Sequence, residues 1–282
     1  MLIRTLTACA LVALAAGPAH ADGHAGTKGF ALANGGATLV TMADIAKPGD
    51  VATFDLATPM DAIAWRPVTG ELLGFANGMI VTIDPATGAQ TDLGATFVDG
   101  AGVSEGANVA FDFNNQIDAV RAVSSAGENL VYFPVGFGDN DARANSVRRF
   151  TDLFYAAGDA SEGAEPLVFA NAYTNAIAGK TASSTFQYVF DARANALASL
   201  ANNAGELTTV GLVTIDGEAV DIVPMGGFDI VSPAEGDDDA YAILQIDGED
   251  TAGLYAIDLG SGAATLIADL GMGGFTGFAA AQ

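Results

Sequence analysis

Two segments of the chain, roughly 170 residues apart, share one sequence pattern. Residues 78–94 read GMIVTIDPATGAQTDLG and residues 253–271 read GLYAIDLGSGAATLIADLG. Each has an alternating apolar strand that ends in Ile-Asp, a tight turn closed by glycine, and a second strand that also ends in glycine. Self-similarity over such a distance is typical of repeat architectures, in which a single unit cannot bury its apolar face alone. The pattern therefore predicts a fold built from packed, similar units.

The local pattern indicates strands throughout. Apolar runs of four to eight residues, rich in Val, Ile, Phe and Tyr, alternate with turns that contain Gly, Asn, Asp and Pro. Such runs are typical of many short strands, and no ten-residue stretch has a convincing helical period. We expect short helical turns only near residues 146–157. The sequence predicts an all-β protein.

The strands group into units, one of which is divided between the two termini. Four units cover residues 61–94, 108–160, 167–211 and 219–270. Three further strands lie at the amino-terminal end (GFALAN, ATLVTMAD and VATFDLA), and a single strand lies at residues 275–281. The opening strands of the units recur at intervals of 48 to 61 residues, close to the length of a four-stranded blade.

This arrangement predicts a β-propeller of five four-stranded blades, in which the carboxyl-terminal strand completes the amino-terminal blade. Closing the ring in this way leaves only short, protected sheet edges. A β-sandwich of two packed sheets is the alternative fold. It would not explain why one terminus lacks the strand that the other supplies.

The amino-terminal end has the features of a secretory signal peptide. One positive charge lies within residues 1–4, an apolar run follows over residues 6–16, and Ala19-His20-Ala21 is a small-residue cleavage site. We therefore expect a signal peptide over residues 1–21, a flexible leader over 22–27 and a single propeller domain over 28–282. The predicted localisation is outside the cytoplasm, either periplasmic or extracellular.

Cysteine and histidine are almost absent. The only cysteine is Cys9, and the two histidines are His20 and His24, so neither residue type occurs after the predicted leader. This excludes disulfides, thiolate metal sites and thiol nucleophiles from the folded part of the chain. It also excludes Ser-His-Asp catalysis and histidine-ligated metals there.

The chain is strongly acidic, with 34 Asp and Glu residues against 10 Lys and Arg residues. Phosphate backbones and anionic membranes would be repelled, so we expect neither nucleic-acid binding nor membrane insertion. The simplest interpretation is an acidic surface that keeps a monomer soluble in salt. No cofactor is expected, although a calcium ion would suit the negative field.

This charge predicts a salt dependence of stability. Self-repulsion should weaken the fold in dilute buffer, and screening operates within about 10 Å at 0.1 M salt. The melting temperature of the mature protein should rise as NaCl increases from near zero to several tenths molar. Calcium should add stability beyond its ionic strength only if it binds the folded state, and Asp112→Asn or Asp229→Asn should then remove that increment. A melting temperature that is flat in both salts would contradict both expectations.

Three segments resemble one protein family. They are FDFNNQIDAVRAVSSAGENLVYFP (111–134), YAAGDASEGAEPLVFANAYTN (155–175) and LYAIDLGSGAATLIADLG (254–271). They are similar to exported bacterial proteins grouped as domain of unknown function 4394, and the resemblance covers essentially the whole mature chain. It implies an extracytoplasmic, propeller-like domain and supplies no catalytic residues. Asn114-Asn115 stands where family members often have Asn-Pro.

Two aspartates occupy equivalent places in their units. Asp112 and Asp229 lie in opening strands, which line the channel of a propeller, and alternation turns Asp112 away from its flanking phenylalanines. The two carboxylates could bind a cation or act as a catalytic pair. The alternative is that each accepts hydrogen bonds from backbone amides of the neighbouring blade.

Three further residues are candidates for ligand binding at the channel, namely Asn114, Arg121 and Tyr173. Arg121 is one of few basic residues and stands among apolar neighbours. It would either form an ion pair with Asp112 or Asp118, or bind an anionic ligand.

Two function classes remain open. The favoured one is a non-enzymatic binding or interaction module whose ligand is a small molecule, a glycan or a protein. The alternative is a carboxylate- or divalent-cation-dependent hydrolase, similar to glycosidases or lactonases, with its site at the channel mouth. A channel filled by Phe and Ala would favour the module, whereas two carboxyls about 5 to 10 Å apart in an open pocket would favour the hydrolase.

Overall fold

The computed structural model describes residues 26–98 and 100–282. The predicted signal peptide (1–21) and most of the predicted leader lie outside the described residues. The strands, in chain order, are β1 (Lys28–Ala33), β2 (Thr38–Met42), β3 (Val51–Asp55), β4 (Ala62–Arg66), β5 (Glu71–Ala76), β6 (Met79–Ile83), β7 (Gln90–Asp92), β8 (Thr96–Phe97), β9 (Val109–Asn114), β10 (Ala119–Ser124), β11 (Asn129–Phe133), β12 (Ser146–Arg149), β13 (Phe154–Tyr155), β14 (Val168–Tyr173), β15 (Gln187–Asp191), β16 (Ala196–Leu200), β17 (Glu206–Leu212), β18 (Thr214–Ile215), β19 (Glu218–Ala219), β20 (Ile222–Ala234), β21 (Asp237–Ile246), β22 (Ala252–Ile257), β23 (Ala263–Asp269) and β24 (Gly277–Ala281).

These strands form five sheets, which are the blades of a β-propeller. From the innermost strand outward, blade 1 is β24-β1-β2-β3, blade 2 is β4-β5-β6-β7 and blade 3 is β9-β10-β11-β12-β8. Blade 4 is β14-β15-β16-β17-β13, and blade 5 is β20-β21-β22-β23-β18-β19. The innermost strands contact one another in the ring order β24, β4, β9, β14, β20 and back to β24. The predicted five-bladed propeller is confirmed.

The ring closes through a strand from the opposite end of the chain. Strand β24 pairs antiparallel with β1, with Gly29 opposite Ala280 and Phe30 opposite Ala279. Blade 1 therefore takes its innermost strand from the carboxyl-terminal end and its other strands from the amino-terminal end. The predicted division of one blade between the termini is confirmed.

The sequence predicts four strands in every blade, but the structure has blades with different numbers of strands. Four consecutive antiparallel strands are present in each, but blades 3, 4 and 5 carry additional outer strands. β8, β13 and β18 each pair parallel with the fourth strand of their blade. Each of these strands comes just before the innermost strand of its blade, so the chain pairs with the outer edge on its way to the axis.

The prediction of helical turns near residues 146–157 is wrong. That segment contains strands β12 and β13. Val147 lies opposite Tyr132 in the β11–β12 pair and is buried. Pairing of β12 with β11 on one side and β8 on the other satisfies its backbone hydrogen bonds, which favours a strand over a helix here. The described residues contain no helix with the length and apolar character needed to span a membrane.

The core lies between adjacent blades. Five main apolar clusters each join one blade to the next around the ring. Leu72 packs toward blade 1, whereas the following Leu73 packs toward blade 3. Successive side chains of a strand point to opposite faces, so a strand between two neighbours must be apolar on both faces. This is why the inner strands are nearly continuous apolar runs.

Candidate functional site

The central channel is closed by aromatic and small apolar side chains. The innermost strands bring Phe111, Phe169, Phe228 and Phe278 together with alanines, and the cavity between them has a volume of about 10 Å³. A cavity of that size is at the lower limit for one water molecule. The middle of the channel therefore has no room for a substrate.

Asp112 and Asp229 each join two neighbouring blades. Asp112 Oδ2 accepts a hydrogen bond from the backbone N–H of Tyr173 at 2.6 Å, which links blade 3 to blade 4. Asp229 Oδ2 accepts one from the backbone N–H of Ala280 at 2.6 Å, which links blade 5 to blade 1. Asp229 Oδ1 accepts a further bond from Ile230 N at 2.7 Å. Of the two roles considered in the sequence analysis, the structure shows the second, in which each aspartate accepts a backbone amide hydrogen bond from the neighbouring blade.

The environment of these carboxyls favours their neutral forms. Both residues are only 4% exposed. Burial, with repulsion from Asp229, holds the pKa of Asp112 well above its usual range. Burial raises the pKa of Asp229 to about 7. Loss of hydration outweighs the amide hydrogen bonds, which favour the charged form.

Arg121 does not form the predicted ion pair. It lies directly opposite Asp112 in the β9–β10 pair, but its guanidinium binds neutral groups. Nε donates to Tyr173 Oη at 2.7 Å, and the other nitrogens donate to Asn129 Oδ1 and Asn203 Oδ1. The guanidinium points toward β11 and toward the 3₁₀ turn Asn202–Ala204 of blade 4, whereas the carboxyl group of Asp112 points toward the backbone of β14.

The other predicted partner of Arg121, Asp118, binds a different arginine. Arg66 Nε donates to Asp118 Oδ1 at 2.8 Å, and Arg66 Nη2 lies 2.5 Å from Oδ2. This two-pronged ion pair joins blade 2 to blade 3. The prediction that Arg121 pairs with Asp112 or Asp118 is therefore wrong, because each carboxylate has another partner.

Tyr173 and Asn114 are also held within the protein. The Tyr173 hydroxyl is 2.8 Å from Gln187 Oε1 and 2.7 Å from Asn202 Oδ1, and burial raises the pKa of Tyr173 to about 12. Asn114 Oδ1 accepts from Gln116 N at 3.1 Å and from Thr185 Oγ1 at 3.0 Å. Both residues are buried.

The structure thus brings three of the five candidate residues together. Asp112, Arg121 and Tyr173 form one network between blades 3 and 4, Asn114 lies at the end of β9, and Asp229 lies at the interface of blades 5 and 1. The ligand-binding role proposed for these residues stays a prediction, since their polar atoms have partners within the chain. Among the described residues, no group of three or more His, Cys, Asp or Glu side chains is arranged to hold a metal ion.

The sequence did not single out the amides that complete this network. Gln187 Nε2 donates to Asn171 Oδ1 at 2.7 Å, and Asn129 Nδ2 donates to Thr151 O at 2.9 Å. A signal was present, because Asn171 is the one polar side chain near the middle of the apolar strand VFANAY. A buried amide in such a strand requires hydrogen-bond partners, and Asn171 has Gln187 on its own blade and the backbone oxygen of Arg121 on blade 3.

The channel has two mouths, which differ in shape. At the amino-terminal ends of the innermost strands, here called the amino-terminal mouth, a recess of about 90 Å³ is lined by residues from several blade connections. They include Met60, Asn108, Met225 and Thr276. Met225 is 44% exposed, and the buried Oγ1 of Thr276 has no hydrogen-bond partner among the described residues.

The opposite end, here called the carboxyl-terminal mouth, is narrower. Trp65, Ala178 and Asp229 line a recess of about 10 Å³ there. The carboxyl group of Asp229 therefore lies beside a space too small for a substrate.

Comparison with a family model decides which group of proteins the chain belongs to. The model described as "Domain of unknown function (DUF4394)" matches residues 38–279. The chain is a member of this family. No curated protein is significantly similar in sequence to this DUF4394 protein.

Solved structures with low sequence identity resemble the DUF4394 protein. A chain of a nidogen/laminin complex is 9% identical, with 91% of this chain and 99% of that chain covered and a TM-score of 0.47. An auxiliary nutrient binding protein from Bacteroides ovatus is 12% identical, with 76% and 55% covered and a TM-score of 0.41. The beta-propeller domain of Cps50 (Swd1) from Myceliophteria thermophila is 11% identical, with 81% and 63% covered and a TM-score of 0.39. Similarities of this size say nothing about a ligand.

Proposed function

We propose that the protein is a non-catalytic binding module that acts outside the cytoplasm and binds its ligand at the amino-terminal mouth. The closed channel is the observation that carries this proposal. A hydrolase with its site at the axis would need Asp112 and Asp229 open to substrate, but both are buried and accept backbone amide hydrogen bonds.

The amino-terminal mouth has the features of a surface that receives part of a larger ligand. Its recess of about 90 Å³ is well below the roughly 300 Å³ at which pockets begin to enclose a small molecule. A partner would therefore lie across the mouth and insert one group. The exposed thioether of Met225 offers an adaptable apolar contact at this mouth.

Calorimetry of the mature protein against a panel of glycans tests the proposal. Met225→Arg places a large charged side chain in the amino-terminal mouth, and Ala178→Arg places the same side chain at the opposite mouth. Both positions are exposed, so neither change should disturb folding. A glycan that binds the wild type should lose at least tenfold in affinity with Met225→Arg and keep its affinity with Ala178→Arg.

Two results would overturn the proposal. If Ala178→Arg abolishes binding and Met225→Arg does not, the ligand binds at the carboxyl-terminal mouth. If a bound glycan is cleaved and Asp112→Asn or Asp229→Asn stops cleavage, the protein is the hydrolase that the sequence left open. If no glycan binds, the glycan form of the proposal fails and a protein partner is the one to test with the same two variants.

A further inference from the structure

Blade 5 carries a second recess, away from both mouths. A cleft of about 360 Å³ lies between the outer strands of the blade and the hairpin β18–β19. Its apolar lining is formed by Ile215, Val220, Ile246, Tyr255 and Leu266. The volume falls within the range of sites that bind small molecules, and Leu266 is 53% exposed at the lip.

The charge around this cleft has one sign. Glu249 and Asp269 line it beside the apolar residues, and none of the basic residues that the structure describes does so. Arg193 is the last basic residue in the chain, and fourteen acidic residues follow it. The field of this part of the molecule therefore attracts cations and repels anions.

A largely buried tyrosine lines the cleft, and its hydroxyl lies within the electrostatic influence of the same carboxylates. Tyr255 is 6% exposed, and its ring lies close over Gly253, where a Cβ atom would be 2.6 Å from ring carbon Cε2. Within residues 26–98 and 100–282 its hydroxyl has no hydrogen-bond partner, and the oxygen atom is not enclosed by protein, so a ligand in the cleft can reach it. Burial raises the pKa of Tyr255, and the negative charges of Asp269 and Glu249 raise it further. The hydroxyl therefore stays protonated and can donate or accept a hydrogen bond.

We propose that this cleft binds a small organic cation with an apolar body. The cationic head would lie between Glu249 and Asp269 near the hydroxyl of Tyr255, and the apolar body would pack on Ile246, Tyr255 and Leu266. An inorganic cation would leave the apolar lining unused, and a neutral apolar molecule would leave the two carboxylates unpaired. Aromatic rings also attract organic cations directly.

Three probes with the same six-carbon chain test the proposal by calorimetry: hexyltrimethylammonium, 1-hexanol and hexanoate. The wild type should bind the ammonium compound at least tenfold more tightly than hexanol and should not bind hexanoate. Leu266→Lys should abolish binding of the ammonium compound, because it adds a positive charge at an exposed position.

Two matched double variants distinguish binding at this cleft from a general attraction of cations to the acidic protein. Glu249→Gln with Asp269→Asn removes both rim charges and keeps an acceptor for the Gly271 N–H that Asp269 now binds at 2.7 Å. Glu105→Gln with Glu165→Gln removes the same charge at exposed positions elsewhere. The first pair should weaken binding of the ammonium compound at least tenfold, and the second should leave it unchanged.

The proposal is wrong if hexanoate binds as well as the ammonium compound, if both double variants weaken binding equally, or if Leu266→Lys has no effect. None of these outcomes bears on the amino-terminal mouth, because Met225→Arg tests that mouth separately.

Discussion

Removing residues 275–282 should abolish cooperative folding. Strand β24 is the innermost strand of blade 1, and Phe278, Ala279, Ala280 and Ala281 are all buried. Without it the inner faces of blades 1, 2 and 5 lose their packing, and Asp229 loses the N–H of Ala280. Truncating one buried phenylalanine to alanine already costs about 3–5 kcal/mol, against a total stability of about 5–15 kcal/mol for a domain.

Urea unfolding followed by near-ultraviolet circular dichroism measures this effect. The truncated chain should show no cooperative transition, whereas a chain lacking only the exposed Gln282 should unfold like the full protein. A synthetic peptide of residues 272–282, added to the truncated chain, should restore the transition at one equivalent. If the truncated chain alone keeps the midpoint and slope of the full protein, the ring does not depend on this strand.

A single glycine substitution tests the same closure without shortening the chain. Gly227 lies in β20 against β24, and a Cβ atom there would be 2.2 Å from Phe278 N. A backbone atom cannot move aside without shifting the strand. Gly227→Ala should therefore lower the urea midpoint markedly, while Gly217→Ala, at a position with open space but positive φ, should lower it only modestly.

The blade architecture could be predicted because its signals are local in the sequence. Strand alternation, Gly-closed turns and the spacing of opening strands all act within about 50 residues, and the divided blade follows from a missing strand at one terminus. The outer strands β8, β13 and β18 were missed, since a two-residue strand has no period to detect. Their pairing depends on how the chain passes along the next blade.

The candidate site could be predicted only in part, for a related reason. Alternation within FDF placed Asp112 correctly, on the opposite face from its flanking phenylalanines. The partner of each polar side chain depends on how two blades meet, and nothing in a single strand encodes that register. Arg121 was therefore paired with a carboxylate on its own blade, whereas the structure places Tyr173 and Asn203 of the next blade within its reach.

The buried carboxyl of Asp229 should make the protein less stable as pH rises from 4 to 7. Its pKa is about 7 in the folded protein, against an ordinary value of 3.8 in the unfolded chain. Over this window the folded state holds a proton that the unfolded state has lost, so stability is present in full below pH 4 and declines until the pH passes 7. At 1.36 kcal/mol per pH unit, the loss attributable to this carboxyl is about 4 kcal/mol.

Urea unfolding at fixed ionic strength from pH 4 to 8 gives the unfolding free energy of each protein, and comparing the wild type with variants isolates the contribution of Asp229. Every carboxylate of this acidic chain contributes to the pH dependence of the wild type, so the difference between proteins is the quantity to measure. Asp229→Asn should reduce the decline in unfolding free energy by about 4 kcal/mol or more, because the side chain no longer ionises and no longer raises the pKa of Asp112. Asp258→Asn removes one exposed carboxylate and keeps an acceptor for Gly260 N, so its decline should match that of the wild type. Equal declines in wild type and Asp229→Asn would show that Asp229 is ionised throughout, and that its amide hydrogen bonds outweigh its burial.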